Sequence, residues 1–173
     1  MAPRLLVADV LTTLRLGIAL TLPRVLWSGR LSLAAVLVSA AWVSDVVDGR
    51  VARVSGGEGN MGPWDLLADT AVGTGIVVGL TGAGALPVWY AVAAVVSFGV
   101  WSRRRENFGG SMILQLLGYV PLLSILWMER PDWWWLPFVT AVLIGVVDWR
   151  RLVQVNIPGF VRSFSSHNRS RAA

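Results

Sequence analysis

The sequence Asp-Val-Val-Asp-Gly-Arg-Val-Ala-Arg at residues 45–53, followed by Gly-Pro-Trp-Asp-Leu-Leu-Ala-Asp at residues 62–69, places four aspartates between apolar segments. Asp45 and Asp48 are three positions apart, and Asp65 and Asp69 are four apart, so each pair lies on one face if its segment is helical. Carboxylates in apolar surroundings are costly unless cations balance them. The stretch therefore predicts two helices with acidic faces, and we expect the function to reside there.

The composition of the chain excludes an ordinary soluble domain. Of its 173 residues 55% are hydrophobic and 14% are charged, with a mean hydropathy of +0.62, whereas soluble domains carry about 25% charged residues. The net charge is +5, but every basic residue is an arginine and most lie in short loops between apolar segments. That placement favours anionic lipid headgroups over nucleic acid, which we do not expect as a partner. The chain has no cysteine, which excludes disulfides, thiolate nucleophiles and Cys-ligated zinc.

Apolar runs predict an all-α integral membrane protein with six transmembrane helices. The uncharged run between Asp69 and Arg103 is too long for one span, and the Gly/Pro-rich residues 81–87 divide it into two. The predicted spans are residues 5–27, 31–53, 63–80, 86–102, 108–128 and 133–147. The first carries charges, so an interfacial helix leading into a shorter span is an alternative. We expect residues 54–62 to form a glycine-rich loop, residues 1–155 the membrane domain, and residues 156–173 a flexible basic cytoplasmic tail.

The distribution of arginines predicts the orientation of these spans. Six spans place both termini on one side, and that side holds most of the arginines, whereas Arg24, Arg30 and Arg130 lie on the other. The positive-inside rule then puts both termini and the acidic site in the cytoplasm, with the protein in the plasma membrane.

The residue types around the aspartates indicate a substrate class. Carboxylates without histidine or cysteine suit Mg²⁺ or Mn²⁺, and four aspartates would balance two such ions, an arrangement suited to phosphoryl transfer. Gly49 and Ala52 leave space for a ligand beside the first pair, and Arg53 can hold a phosphate through two hydrogen bonds. Together these residues favour a nucleotide diphosphate substrate.

Simpler interpretations exist for single residues. Asp65 alone fits the first turn of a helix, where the helix dipole favours a negative charge. Gly75 and Gly79 fit close helix packing, and residues 103–105, three consecutive arginines, fit a topology signal. The two aspartate pairs taken together with Gly49, Ala52 and Arg53 are much harder to explain in this way.

At these positions the sequence resembles the CDP-alcohol phosphatidyltransferase family, whose motif is D-x-x-D-G-x-x-A-R, eight residues, then G-x-x-x-D-x-x-x-D. The matching residues are Asp45, Asp48, Gly49, Ala52, Arg53, Gly62, Asp65 and Asp69. One departure is that two residues, not three, separate Gly62 from Asp65, so either this segment is one residue shorter or Met61 stands at the glycine position. Leu11-Thr12-x-x-Arg15 also resembles a segment near the start of many members, with Asp9 where asparagine is common.

The resemblance implies a membrane enzyme of phospholipid synthesis, usually a homodimer, that uses CDP-diacylglycerol and an alcohol acceptor. Two divalent cations, Mg²⁺ or Mn²⁺, would be held by Asp45, Asp48, Asp65 and Asp69, and the CDP moiety by Asp45, Gly49, Ala52 and Arg53. Asp69 would be the catalytic base for the acceptor hydroxyl, which attacks the lipid-side phosphorus so that CMP leaves.

The acceptor and some alternatives stay open at this point. Glycerol 3-phosphate or inositol phosphate would need basic residues, for which Arg15, Arg103, Arg104 and Arg105 are candidates, whereas serine or another lipid would need fewer. Other hypotheses are transfer from a soluble CDP-alcohol to a lipid acceptor, a cation transporter, and a non-catalytic relative with an altered Gly62–Asp65 spacing. A cation transporter would require polar residues spread through the bilayer. Retention of all four aspartates argues against a non-catalytic relative.

Overall fold

Six α-helices make up most of the chain that the computed structural model describes, which comprises residues 3–55, 62–104, 108–149, 153–154 and 157–158. Their bounds are α1 Pro3–Trp27, α2 Leu31–Ser55, α3 Gly62–Gly82, α4 Val88–Arg104, α5 Phe108–Glu129 and α6 Pro131–Val147. The all-α prediction is confirmed, and the six helices coincide with the six predicted spans to within a few residues. The predicted loop at 54–62 is shorter than expected, because Ser55 still belongs to α2 and Gly62 already belongs to α3. Residues 56–61 and nearly all of the predicted tail lie outside the described residues, and the domain boundary at 155 stays a prediction.

The helices have the length and apolarity of a membrane protein. The segments Asp9–Trp27, Leu31–Val51 and Gly110–Glu129 are long and apolar enough to cross a bilayer, and Val88–Arg103 and Pro131–Val147 are shorter apolar helices. Large hydrophobic side chains such as Leu20, Val88 and Val146 point outwards, with more than two thirds of their surface exposed. Such a surface suits contact with lipid. The number of spans, six, remains a prediction.

A turn with glycine in the left-handed region separates α1 from α2, and another separates α3 from α4. Gly29, with a φ of 69°, follows α1, and Gly84, with a φ of 78°, follows α3. After α1 the Arg30 N–H donates to the carbonyl of Val25 over 3.1 Å, which caps the helix end. The break predicted at residues 81–87 is therefore confirmed, with α3 ending at Gly82 and α4 beginning at Val88.

Helix α1 is the centre of the packing. It packs extensively against both α2 and α3, whereas α2 and α3 contact each other only slightly. On the other sides α5 covers α3 and α6 covers α2. The buried apolar core is formed mainly by Ile18, Leu22, Leu26, Val38, Val72, Ile76, Leu80, Leu122 and Leu126. Any site shared by α2 and α3 is therefore organised through α1.

Glycines let α3 approach its neighbours closely. A Cβ atom on Gly75 would lie 2.6 Å from the Ala19 carbonyl oxygen, and one on Gly79 would lie 2.9 Å from the Pro23 Cα. On the opposite side, a Cβ atom on Gly73 would lie 2.9 Å from the Cα of Gln115. The predicted packing role of Gly75 and Gly79 is confirmed, and α3 is held between α1 and α5.

Candidate functional site

The guanidinium group of Arg15 gathers the four aspartates from two different helices. Its Nη1 donates to Oδ1 of Asp45 at 3.0 Å and to Oδ1 of Asp69 at 2.5 Å. Its Nη2 donates to Oδ2 of Asp48 at 2.7 Å and to Oδ1 of Asp65. Each of these nitrogens thus joins one aspartate of α2 to one of α3. The side chain of Arg15 is fully buried.

The helical spacing predicted for the aspartates places them correctly for this contact. Asp45 and Asp48 share one face of α2, and Asp65 and Asp69 share one face of α3, with Asp65 in the first turn of that helix as expected. Because α2 and α3 touch so little, the two acidic faces meet through α1, which carries Arg15 between them.

Exposure differs among the four carboxylates and shows which side of the site is open. The Asp48 side chain is 8% exposed and that of Asp69 is 22% exposed, whereas the values for Asp65 and Asp45 are 36% and 43%. Asp48 therefore forms the floor of the site, while Asp45 and Asp65 lie at its opening.

Thr12 also binds the floor of the site. Its hydroxyl donates to Oδ2 of Asp48 at 3.0 Å, the same oxygen that accepts from Nη2 of Arg15. Thr12 is 2% exposed and lies one helical turn before Arg15, so both side chains point to the same side of α1. Thr12 was not among the predicted site residues, although the Leu11-Thr12-x-x-Arg15 segment contains it.

Comparison with known proteins identifies the family to which these residues belong. The model of the family described as CDP-alcohol phosphatidyltransferase matches residues 5–105, more than half of the 173-residue chain. The chain belongs to the CDP-alcohol phosphatidyltransferase family. No curated protein and no solved structure matches the chain. The family is one of phosphotransferase enzymes that transfer a phosphatidyl group by way of a CDP-alcohol, and the apolar helices agree with a membrane location.

In this member of the family a polar cluster joins α3 to α5 beside the aspartates, and its α5 residues lie beyond the segment that matches the family model. The hydroxyl oxygens of Thr70 and Ser111 lie 2.6 Å apart in a hydrogen bond, and both residues are fully buried. Gln115 donates from Nε2 to Oγ of Ser111 at 3.3 Å. Thr70 is adjacent in sequence to Asp69, so this cluster fixes the part of α3 that carries the predicted base.

One turn further along α5, Tyr119 contacts Trp42, which lies one turn before Asp45 on α2. Its ring meets that of Trp42 edge-on, with 5.0 Å between the ring centroids. Sequence reasoning missed this side of the site. The signal was present as polar residues at 111, 115 and 119, four positions apart on one face of an apolar helix.

The predicted CDP-binding residues follow the first aspartate pair along α2. Gly49 is half-buried beside Asp48. Ala52 and Arg53 belong to the last turns of α2, but their side chains lie outside the described part of the structure. Their contact with CDP stays a prediction.

The predicted acceptor-binding arginines are distributed differently. Arg15 is engaged with the four aspartates, and Arg103 is exposed near the end of α4. Arg104 is the last residue of α4 with its side chain outside the described part, and Arg105 lies outside the described residues altogether. Contact of any of these four with an acceptor remains a prediction.

The chemistry of the donor set fits divalent cations. Four carboxylates contact one guanidinium, so acidic groups outnumber the basic group at this point of the described structure. All four are oxygen donors, the type that Mg²⁺ and Mn²⁺ prefer. Within the described residues, no group of three or more acidic or histidine side chains has the geometry of a metal site. The four carboxylates are directed at the Arg15 guanidinium instead.

Proposed function

We propose that this protein transfers the phosphatidyl group of CDP-diacylglycerol to an alcohol acceptor in phospholipid synthesis, with release of CMP. The observation that carries the proposal is the convergence of Asp45 and Asp48 from α2 with Asp65 and Asp69 from α3 on one buried point. In a protein of this family the clustered carboxylates can bind cations, and those cations can hold the pyrophosphate of a CDP-linked substrate.

We propose Asp45, Asp48, Asp65 and Asp69 as the ligands of two divalent ions, Mg²⁺ or Mn²⁺. Bound there, the ions would supply positive charge to the pyrophosphate, where negative charge develops as CMP leaves. The excess of carboxylates over the one guanidinium and the all-oxygen donor set support this assignment.

The residues of the chain would orient the substrates and move the proton. Gly49 and Ala52 leave room for the CDP moiety along α2, with Asp45 and Arg53 as its polar partners. Asp69 accepts the proton of the acceptor hydroxyl on its carboxylate. The hydroxyl oxygen forms a bond to the phosphorus that carries diacylglycerol, the bond from that phosphorus to the CMP oxygen breaks, and CMP leaves as a phosphate monoester.

For the acceptor we propose a phosphorylated alcohol such as glycerol 3-phosphate or inositol phosphate. Arg103, Arg104 and Arg105 are consecutive in the sequence and would supply basic groups suited to its phosphate. Arg15, which makes four ion pairs in this structure, is the other basic candidate for that task.

We further propose that the protein lies in the plasma membrane as a homodimer, with six spans and with both termini and the site facing the cytoplasm. The excess of arginines on the side of the termini supports this orientation.

The test is CMP release by purified protein supplied with CDP-diacylglycerol, Mn²⁺ or Mg²⁺, and a panel of acceptors. We expect release with one phosphorylated acceptor, abolished by chelator and reduced at least about a thousandfold by Asp69→Asn. Asp132→Asn is the matched control, because Asp132 is an exposed aspartate paired with Arg130.

Two outcomes would count against the proposal. Release only with a soluble CDP-alcohol and a lipid acceptor would reverse the roles of donor and acceptor. Folded protein that releases no CMP with any pair of substrates would indicate a non-catalytic member of the family.

A further inference from the structure

Arg15 is the direct connection between the two acidic faces. Nη1 joins Asp45 to Asp69 and Nη2 joins Asp48 to Asp65, so each nitrogen links α2 to α3. The helices themselves contact each other only slightly. Without a cation at this point, four carboxylates would face one another with little besides α1 to hold them together.

One donor of the same guanidinium lacks a hydrogen bond within the described part of the chain. Nε of Arg15 is fully buried, and none of the described residues accepts a hydrogen bond from it. Buried donors are nearly always satisfied, and an unsatisfied one is costly. In this position the guanidinium satisfies the carboxylates, while its own Nε donor stays unsatisfied among the described residues.

The carboxylates at the site also outnumber their cation. Four of them share the one guanidinium of Arg15, and acidic groups so close together favour a ligand that brings more positive charge than one arginine supplies. The Arg15 nitrogens already donate to one oxygen of every aspartate. A divalent ion that binds the same oxygens would therefore be repelled by the positive charge of the guanidinium.

We propose that Arg15 is the resident counter-cation of the metal-free site and that divalent ions displace its guanidinium when they bind. The inference rests on the proposed function in taking the four aspartates as a divalent-ion site. Arg15 then acts as a switch: it holds the acidic faces together in the metal-free protein, and metal loading releases it from the aspartates.

Thr12 makes this exchange feasible without loss of the site. Its hydroxyl holds Oδ2 of Asp48 independently of Arg15. When the guanidinium withdraws, the most buried carboxylate keeps a donor from α1, so the floor of the site stays in place.

The first experiment measures Mn²⁺ binding to chelator-treated protein in detergent, from the electron paramagnetic resonance signal of free Mn²⁺. We expect Arg15→Gln to bind Mn²⁺ at least about tenfold more tightly than the wild type, because the competing charge is gone. Arg15→Lys, which keeps the charge, should stay within about threefold of the wild type. Arg130→Gln, at an exposed arginine paired with Asp132, should bind as the wild type does.

The outcomes separate this inference from the proposed function. Equal or weaker binding by Arg15→Gln, with the wild type binding Mn²⁺, overturns the displacement and leaves the metal site in place. Failure of every form to bind Mn²⁺ overturns both the displacement and the proposed metal site.

A second measurement uses only the wild-type chain and does not depend on the folding of a variant. Phenylglyoxal modifies accessible arginines, and the modified positions are read by mass spectrometry of peptides. We expect Arg15 to be protected in chelator and to become at least about fivefold more reactive with Mn²⁺, whereas the exposed Arg130 reacts equally in both conditions. Protection of Arg15 that is unchanged or increased by Mn²⁺ would show that the guanidinium stays with the aspartates.

Discussion

The hydroxyl of Thr12 donates to Oδ2 of Asp48 over 3.0 Å and reaches from the central helix to the most buried carboxylate of the site. Thr12 is itself buried, so the bond has no competition from water. A hydrogen bond to a carboxylate in such surroundings contributes more than one between neutral groups.

Replacement of Thr12 by valine should therefore destabilise the protein. Thr12→Val keeps the shape of the side chain but removes a donor from Asp48, and we expect a loss of about 1–3 kcal/mol in the free energy of unfolding. Thr12→Ser should recover most of it. Reversible unfolding in mixed detergent would give these values.

Thr13→Val is the matched control for this change. Thr13 is exposed and its hydroxyl donates to the Asp9 carbonyl within the same helix, at 2.8 Å. We expect it to alter the free energy of unfolding by less than about 0.5 kcal/mol. Equal effects of Thr12→Val and Thr13→Val would mean that the bond to Asp48 contributes nothing to stability.

Local patterns in the sequence were sufficient to predict the helices and the two acidic faces. The glycines and proline at 81–87 cannot continue a helix, and the structure breaks there, between Gly82 and Val88. The i, i+3 and i, i+4 spacings of the aspartates determine which side of α2 and α3 is acidic, whatever those helices pack against.

The contact of Arg15 with those faces could not be derived in the same way. Arg15 is 30 positions from Asp45 and 54 from Asp69, and periodicity within one helix does not reveal which other helix its face will meet. The sequence indicated that an intramembrane arginine needs a polar partner or a phosphate. That Arg15 binds all four aspartates depends on the position of α1 between α2 and α3.

Ser111 and Tyr119 were missed for a related reason. Their side of α5 faces the site because α5 crosses α3 at two glycines, Gly73 and Gly118, whose backbones touch. Many glycines in the chain could have marked a crossing, and only the assembled helices distinguish these two from the rest.

The crossing of α1 and α3 gives a second prediction. A methyl group on Gly75 would lie 2.6 Å from the backbone oxygen of Ala19, which cannot move without displacing α1. We expect Gly75→Ala to lower the free energy of unfolding by about 1–3 kcal/mol and to reduce CMP release, because α1 carries Arg15 and α3 carries Asp69.

Gly17→Ala is the control for Gly75→Ala. Gly17 lies on α1 with open space where its Cβ would be, so alanine should leave stability unchanged or raise it by up to about 1 kcal/mol. The comparison is made by thermal unfolding under identical detergent conditions. Equal stability of Gly75→Ala and Gly17→Ala would contradict the close packing of α1 against α3 at Gly75.

The buried pair of Thr70 and Ser111 gives a third prediction. Ser111→Ala removes one partner of the 2.6 Å hydrogen bond between α3 and α5 and one acceptor of Gln115, and we expect a loss of about 1–3 kcal/mol. A double-mutant cycle with Thr70→Val measures the coupling, which we expect to be about 0.5–3 kcal/mol.

Ser124→Ala provides the control on the same helix. Its exposed hydroxyl donates to the Val120 carbonyl within α5, at 2.9 Å, so we expect a change below about 0.5 kcal/mol. Additive effects of Ser111→Ala and Thr70→Val would show that the two hydroxyls do not stabilise each other.

The crowding of carboxylates around Arg15 predicts an unusual response to the loss of one aspartate. Asp65→Asn removes one of four carboxylates that share a single guanidinium, while three aspartates still bind Arg15. In chelator the unfolding temperature should therefore be equal to or higher than that of the wild type, because carboxylate repulsion falls. With Mn²⁺ the order should reverse, since the variant lacks a proposed ligand and gains less stability from the ion.

Unfolding temperatures of both proteins, measured with and without Mn²⁺, test this prediction. Asp132→Asn is the control and should follow the wild type in both conditions. A variant that unfolds earlier than the wild type in chelator would mean that the ion pair of Asp65 with Arg15 outweighs the repulsion among the four carboxylates.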